Sequence, residues 1–274
     1  MKRIVNNNIF NKCAVLLAAA AVSLVPQACD NHAKADAGKS SFDLDVERPD
    51  SSLNVLMRAL AEGDAPGFAA LCTYPIQRIY PLRCIEDSAT MVDYFPVMVD
   101  DSLKSIARRS KSKDWNYNGW RGWALGDSAI MWYDDGLQFV DYESKAETGL
   151  RKMLARNEIM TLSPEFREGW TPIETLVEID GDRIFRIDAS DDTFRLMEYE
   201  NEGTLSGKPV LILLGSMTTE GSGDYRIFAF ADSLGFKAEY LPDGEPPVRI
   251  DITGPDKKMK SHKVRRGYWR DHIK

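Results

Sequence analysis

Histidine and cysteine are the scarce residues of this chain, three and four among 274. That scarcity excludes a metal cluster built on those ligands. Positive charge is also short. Thirty-five Lys and Arg stand against 42 Asp and Glu, a formal net charge of −7, which argues against a general nucleic-acid binder because phosphate neutralisation needs basic surface. There is no G-x-x-x-x-G-K-[ST] loop and no G-x-S-x-G elbow, so neither a phosphate-cradling loop nor a nucleophile elbow is indicated. Beyond Val25 no run is long and apolar, and a membrane-spanning helix needs roughly 20 such residues for a core of about 30 Å. What is present is ordinary: 43% hydrophobic and 28% charged residues, the composition of a soluble globular protein with length enough for two modest cores.

The first segment reads as targeting. Lys2, Arg3 and Lys12 precede an apolar run from Cys13 to Val25, the pattern of a signal peptide. Pro26-Gln27-Ala28-Cys29 resembles a bacterial lipoprotein box, which makes Cys29 a candidate lipidation site and residues 1–28 the removed peptide. The alternative is an ordinary cut after Ala35, at Ala33-Lys34-Ala35. Residues 29–48 are small and polar, as a flexible tether would be. Either cut, with Cys29 lipidated or removed, leaves Cys72 and Cys84 as the candidate disulfide partners. Export would allow a disulfide between them if residues 72–84 double back; two buried thiols are the other reading.

Two domains are expected after the tether, residues 49–160 and 171–274, joined by a linker over 161–170. Leu53, Leu56, Met57 and Leu60 follow helical spacing after Ser51 or Ser52, with Gly63 as the stop. Asp64 begins a second helix, and Asp87 or Ser88 a third that runs on to Ile106 with a bend at Pro96. Strands are expected over 120–125, 128–133 and 137–142, turning at Gly126-Asp127 and Asp134-Asp135. A charged helix over 145–160 should turn Leu150, Met153 and Leu154 inward. From Trp170 the pattern is short strands alone, over 173–179, 183–188, 193–200, 209–214, 225–231, 237–241, 248–252 and 261–266. That spacing predicts a small all-β sandwich or barrel. The fold class is therefore α+β.

The first domain resembles the nuclear transport factor 2-like superfamily on residues 53–71, Tyr74-Pro75, Tyr80-Pro81, Asp93-Tyr94-Phe95 and Trp120-Arg121-Gly122. The likeness covers residues 49–145. It implies an α+β cone in which a curled antiparallel sheet wraps around helices. The superfamily includes polyketide-cyclase-like and isomerase enzymes and many extracytoplasmic domains without known chemistry, so the fold alone names no activity. Its enzymes use an Asp, often with His or Tyr, inside the cone, and Asp93, Tyr94, Asp127, Tyr133 and Asp141 are the pocket candidates that resemblance implies.

The residues themselves assign no catalytic group, no metal and no cofactor. Residues 54–169 contain no His, and Asp caps helices and fills turns as readily as it does chemistry. The densest binding candidate is aromatic: Trp115, Trp120, Trp123, Trp132 and Tyr133, which could line a pocket or fill a curled sheet. The second is the basic C-terminus, where Lys257, Lys258, Lys260, Lys263, Arg265, Arg266, Arg270 and Lys274 oppose only Asp271. Such a run can meet an anionic surface or guard an edge strand. The reading is an exported, non-catalytic envelope protein of the bacterial periplasm that binds an unknown protein or small ligand and touches membrane only through a lipid anchor. The alternatives are a small-molecule enzyme with its pocket in the cone, and an immunity or inhibitor protein against a secreted toxin. Mass spectrometry of the mature protein is expected to find Cys29 as a lipidated first residue; an unmodified chain beginning at Asp36 would instead mean cleavage at the alanine site.

Overall fold

The computed structural model describes residues 47–118, 122–125, 130–133, 136–200, 205–220, 225–242 and 247–267. From Arg48 onward they belong to one compact unit. Helix α1 (Asp50–Glu62) buries Leu53, Leu56, Met57 and Leu60 and stops at Gly63, whose φ of 76° is a left-handed conformation that glycine adopts without penalty. Helices α2 (Ala65–Ala69) and α3 (Ser88–Met98) are capped by Asp64 and Asp87, which accept the Gly67 and Thr90 amides at 3.0 and 2.7 Å. The expected bend at Pro96 falls elsewhere. Pro96 sits inside α3, and the chain breaks at Val99 and Asp100, where an extended Asp100 accepts the Leu103 amide at 3.0 Å and starts α4 (Asp101–Arg109). A carboxylate that satisfies the orphan amides of a new turn defines a boundary more sharply than a proline near a helix end.

Four short strands follow: β1 (Asn116–Tyr117), β2 (Trp123–Leu125), β3 (Ile130–Tyr133) and β4 (Gly136–Val140), antiparallel in that order. The turns expected at Gly126-Asp127 and Asp134-Asp135 lie outside the described residues. Helices and sheet share one apolar core that includes Leu53, Phe68, Ile85, Phe95, Trp115 and Trp132.

Residues 76–85 do double back, with Ile76 and Ile85 exchanging both backbone hydrogen bonds at 2.9 Å. This corrects the cysteine pairing, because Cys72 and Cys84 are not bridged. The register sets Cys84 opposite Gln77, whose Oε1 lies 2.9 Å from its Sγ. Cys72 is carried off toward β4, where it forms a bridge with Leu137 while its Sγ donates to the Phe68 carbonyl at 3.4 Å.

The eight strands expected after Trp170 all form: β5 (Thr171–Glu178), β6 (Arg183–Ser190), β7 (Thr193–Glu200), β8 (Leu211–Glu220), β9 (Tyr225–Ala231), β10 (Lys237–Tyr240), β11 (Arg249–Thr253) and β12 (Met259–Arg266). Each pairs antiparallel with the next, and β12 pairs with β5, so the sheet is a closed barrel. Closure settles the choice between sandwich and barrel, and it removes the edge that β12 was thought to guard. Alternate residues face inward and fill the lumen, among them Phe185, Leu196, Phe228, Phe230, Tyr240 and Ile250, as suits an eight-stranded diameter. Gly215 lets β8 pass close to β9, since a Cβ there would collide with the Ala229 carbonyl oxygen.

Helix α5 (Lys145–Thr161) departs from expectation. Leu150 and Leu154 are half-buried as expected, but Met153 is 48% exposed, and the fully buried residues of the helix are Glu147 and Glu158. Eleven residues apart, these lie on one stripe three turns long. Glu147 receives Arg78 Nε at 2.6 Å and Nη2 at 2.5 Å, and Tyr94 Oη at 2.9 Å. Glu158 receives Tyr80 Oη at 2.6 Å and pairs with Arg186 at 3.4 Å. Arg78 also donates to the Val140 and Tyr142 carbonyls. Removing one member of a buried pair strands the other. Glu147→Ala is therefore expected to cost about 3–5 kcal/mol of unfolding free energy in urea titration, and pairing Glu147→Leu with Arg78→Met to recover part of that loss.

Candidate functional site

One end of the barrel lumen is polar. Glu174 on β5, Arg226 on β9 and Arg266 on β12 sit beyond the apolar filling of the lumen, one inward-facing position from Leu176, Phe228 and Val264, and Tyr240 on β10, the last member of that filling, points its hydroxyl at Glu174. Glu174 accepts Tyr240 Oη at 2.8 Å on one oxygen and Arg266 Nε at 2.7 Å on the other. The 76–85 fold-back and the first turns of α5 approach this end, and the space they leave is a cleft of about 630 Å³. Gln77, Ile79, Val140, Asp141 and Arg151 line it from the helical side, and Pro172, Ile173, Glu174, Arg226, Pro242 and Arg266 from the barrel. Gln77 Oε1 lies 3.5 Å from Arg266 Nη1 across it.

Carboxylates orient most of the guanidinium groups around the cleft. Arg78 is sealed behind the wall, its side chain 3% exposed against Glu147. Arg151 grips Glu143 at 2.5 and 3.0 Å with its side chain 28% exposed, and Arg266 is 26% exposed beside Glu174. The Arg151 hydrogen bonds hold the Glu143 carboxyl below its ordinary range. Burial, followed by the Glu174 charge, pushes the Tyr240 hydroxyl far above its usual value. Burial and Glu158 do the same to Tyr80. Both tyrosines stay protonated donors across the physiological range.

Behind Tyr80 runs a chain of buried charges on the outer face of the barrel. Glu158 meets Arg186, Arg186 Nε donates to Asp188 at 2.8 Å, and Asp188 accepts Arg195 at 2.6 Å. The Arg195 guanidinium lies 4.2 Å over the Trp170 ring. Burial alone would lower the Arg186 pKa, and the Asp188 and Glu158 carboxylates reverse that. At the opposite end of the lumen, His262 Nδ1 is 2.7 Å from Glu178 Oε1, and Arg183 pairs with Glu198 and Glu200. Among the described residues no group of three or more His, Cys, Asp or Glu is placed to hold a metal ion, and no helix is long and apolar enough to cross a membrane.

The residues singled out in the sequence are dispersed. Trp115 and Trp132 are each 2% exposed in the core. Trp123 is half-buried, with the Tyr117 ring 5.2 Å away and the Arg48 guanidinium 5.8 Å from its centroid. Cys29 and Trp120 lie outside the described residues, as do Asp127 and the side chain of Tyr133. Asp93 is exposed, Tyr94 is bound to Glu147, and Asp141 reaches the cleft. Among the described residues of the basic C-terminal run, Arg266 is the one that lines the cleft. Sequence reasoning missed Arg78, Glu147, Tyr80, Glu158, Glu174, Arg226 and Tyr240. The available signals were the two glutamates on one helical stripe and the alternation of Arg78 and Tyr80.

No protein-family model, curated protein or solved structure matches this chain.

The raised tyrosines contribute stability that is complete below their unfolded value of about 10 and is lost as pH rises from there toward the folded values. Above pH ~10 the unfolding free energy is expected to fall, by up to about 1.4 kcal/mol per pH unit for each such tyrosine. Tyr240→Phe, which cannot ionise, should flatten that slope by one tyrosine's share in chemical denaturation measured from pH 9 to 11.

Proposed function

We propose that the protein is an exported, non-catalytic binding protein of the bacterial envelope, and that its ligand occupies the cleft at the barrel mouth. The cleft carries the reading. Its volume of about 630 Å³ falls within the range of small-molecule sites, and it lies between two packed layers with a few convergent polar groups, where such sites commonly form. The groups on its walls suit holding more than reacting. Both Glu174 oxygens are occupied by donors, and the tyrosine hydroxyls stay protonated. A general base must offer an accessible lone pair and a pKa near the working pH.

The nuclear transport factor 2-like assignment of residues 49–145 belongs to the same proposal. It is supported by four antiparallel strands that share one core with α1 to α4. Within it the enzymatic alternative is disfavoured, because Trp115 and Trp132 are packed into the shared core of the helical half and neither lines the cleft. The signal-like N-terminus supports export.

Native mass spectrometry of the protein purified from the envelope fraction of its own cell is the test. A bound small molecule is expected on the wild type and absent from Ile79→Trp, whose exposed side chain stands in the cleft wall. A ligand that survives this obstruction, or measurable turnover of it, would overturn the reading.

A further inference from the structure

We propose that the cleft takes a small organic anion, gripped at a carboxylate or phosphate group by Arg226, Arg266 and Arg151, with its short apolar body against Ile79, Ile173 and Pro242. This rests on the cleft being the ligand site. The charged groups lining it are Arg78, Arg151, Arg226 and Arg266 against Asp141 and Glu174. What decides the sign of the ligand is which of these still face the space. Glu174 is 7% exposed, and each of its oxygens already accepts a donor, from Tyr240 at 2.8 Å and from Arg266 at 2.7 Å. So little of it faces the cleft that it is a poor partner for a cation. Arg78 is equally closed, spending its donors on Glu147 and on the Val140 and Tyr142 carbonyls. Among the described residues, Asp141 is the one exposed carboxylate of the wall.

The donors behave differently. Arg266 and Arg151 are each anchored from behind by a carboxylate, yet each keeps about a quarter of its side chain exposed. A guanidinium is a planar fork of five donors, so a carboxylate held through Nε fixes the plane of the fork. Arg226 comes from the barrel side with Arg266, two positions along β9 from Phe228 on the same face of the strand. Guanidinium forks held in plane at a half-buried site, as those of Arg151 and Arg266 are, recognise planar or tetrahedral oxyanions, and Arg226 adds a third positive charge to the same lining. The remaining surface decides size and character. Ile79, Ile173, Pro172, Pro242 and Val140 are apolar, and about 630 Å³ is far more than an inorganic ion fills, so the ligand carries a short hydrocarbon or ring beside its charge.

Isothermal titration calorimetry of the full-length mature protein at low salt, with hexanoate, inorganic phosphate and hexylammonium as probes, tests the assignment. Hexanoate is expected to bind and hexylammonium not. Inorganic phosphate should compete with hexanoate if the forks also accept a phosphate, and not compete if they are selective for carboxylate; either result keeps the anion. Arg226→Gln and Arg266→Lys are each expected to weaken hexanoate about tenfold or more, as loss of a hydrogen bond to a charged group does. Lys263→Gln, on the outer face of β12, should leave it unchanged. The Lys variant at 266 keeps a cation beside Glu174, so lost affinity reports the missing fork rather than misfolding. Thermal melts of each variant check that the fold persists. Binding of hexylammonium that is abolished by Ile79→Trp, with no anion bound, overturns the anion while leaving the cleft as a ligand site. Anion binding indifferent to Ile79→Trp and to both arginine variants overturns the site itself. No saturable anion binding up to about 10 mM overturns the anion class, whatever small molecule co-purifies with the wild type.

Discussion

Glu147 and Glu158 are the residues α5 buries completely enough to need partners, and the structure around them depends on supplying those partners. A carboxylate removed from water loses several kcal/mol of hydration, recovered only if charge and hydrogen bonds replace it. Here the replacement comes from two directions. Arg78 and Tyr94 from the helical half close around Glu147, while Tyr80 from the same half and Arg186 from the barrel close around Glu158. The helix thereby becomes a polar strut. Its position is fixed by directional bonds, where an apolar stripe would tolerate sliding. Because Arg78 and Tyr80 alternate with Gln77 and Ile79, the same bonds that bury one face of the fold-back present the other to the cleft.

The barrel contributes rigidity of another kind. A closed meander of eight strands satisfies every strand edge, and its lumen is packed with phenylalanine rings such as Phe228 and Phe230, 6.4 Å apart and nearly parallel. A filled lumen leaves binding to the mouth. There Glu174 and Tyr240 stay buried beneath Arg226 and Arg266, which line the cleft. The opposite mouth also bears charges, Glu178 with His262 and Arg183 with Glu198, so the apolar layer is bounded by polar groups at both ends. The chain from Glu158 through Arg186 and Asp188 to Arg195 ties the outer face of β6 and β7 to α5, which links the rigidity of the barrel to the wall of the cleft.

How much of this the sequence revealed follows from the range of the interactions involved. The α+β class, α1, α2 and the start of α3, and all eight barrel strands were legible, because capping residues, turn residues and two-residue alternation act over a few positions. Where two local signals competed, as Pro96 and Asp100 did for one helix boundary, the cap prevailed. The cleft was not legible. Glu174 and Arg266 stand 92 positions apart, and Tyr80 and Glu158 stand 78 apart, and no periodicity encodes such pairings.

By itself, then, the sequence determined the elements, their order, and the acidic balance of the chain. Tertiary structure decided the rest. Barrel closure turned β12 from an apparent basic edge into an interior strand and sent Arg266 into the cleft. The register of the 76–85 fold-back parted Cys72 from Cys84. Burial decided that α5 would hide its glutamates and expose Met153. In each case a long-range contact set the environment of a residue whose local preference pointed elsewhere, and a charged side chain is buried only where such contacts supply its partner.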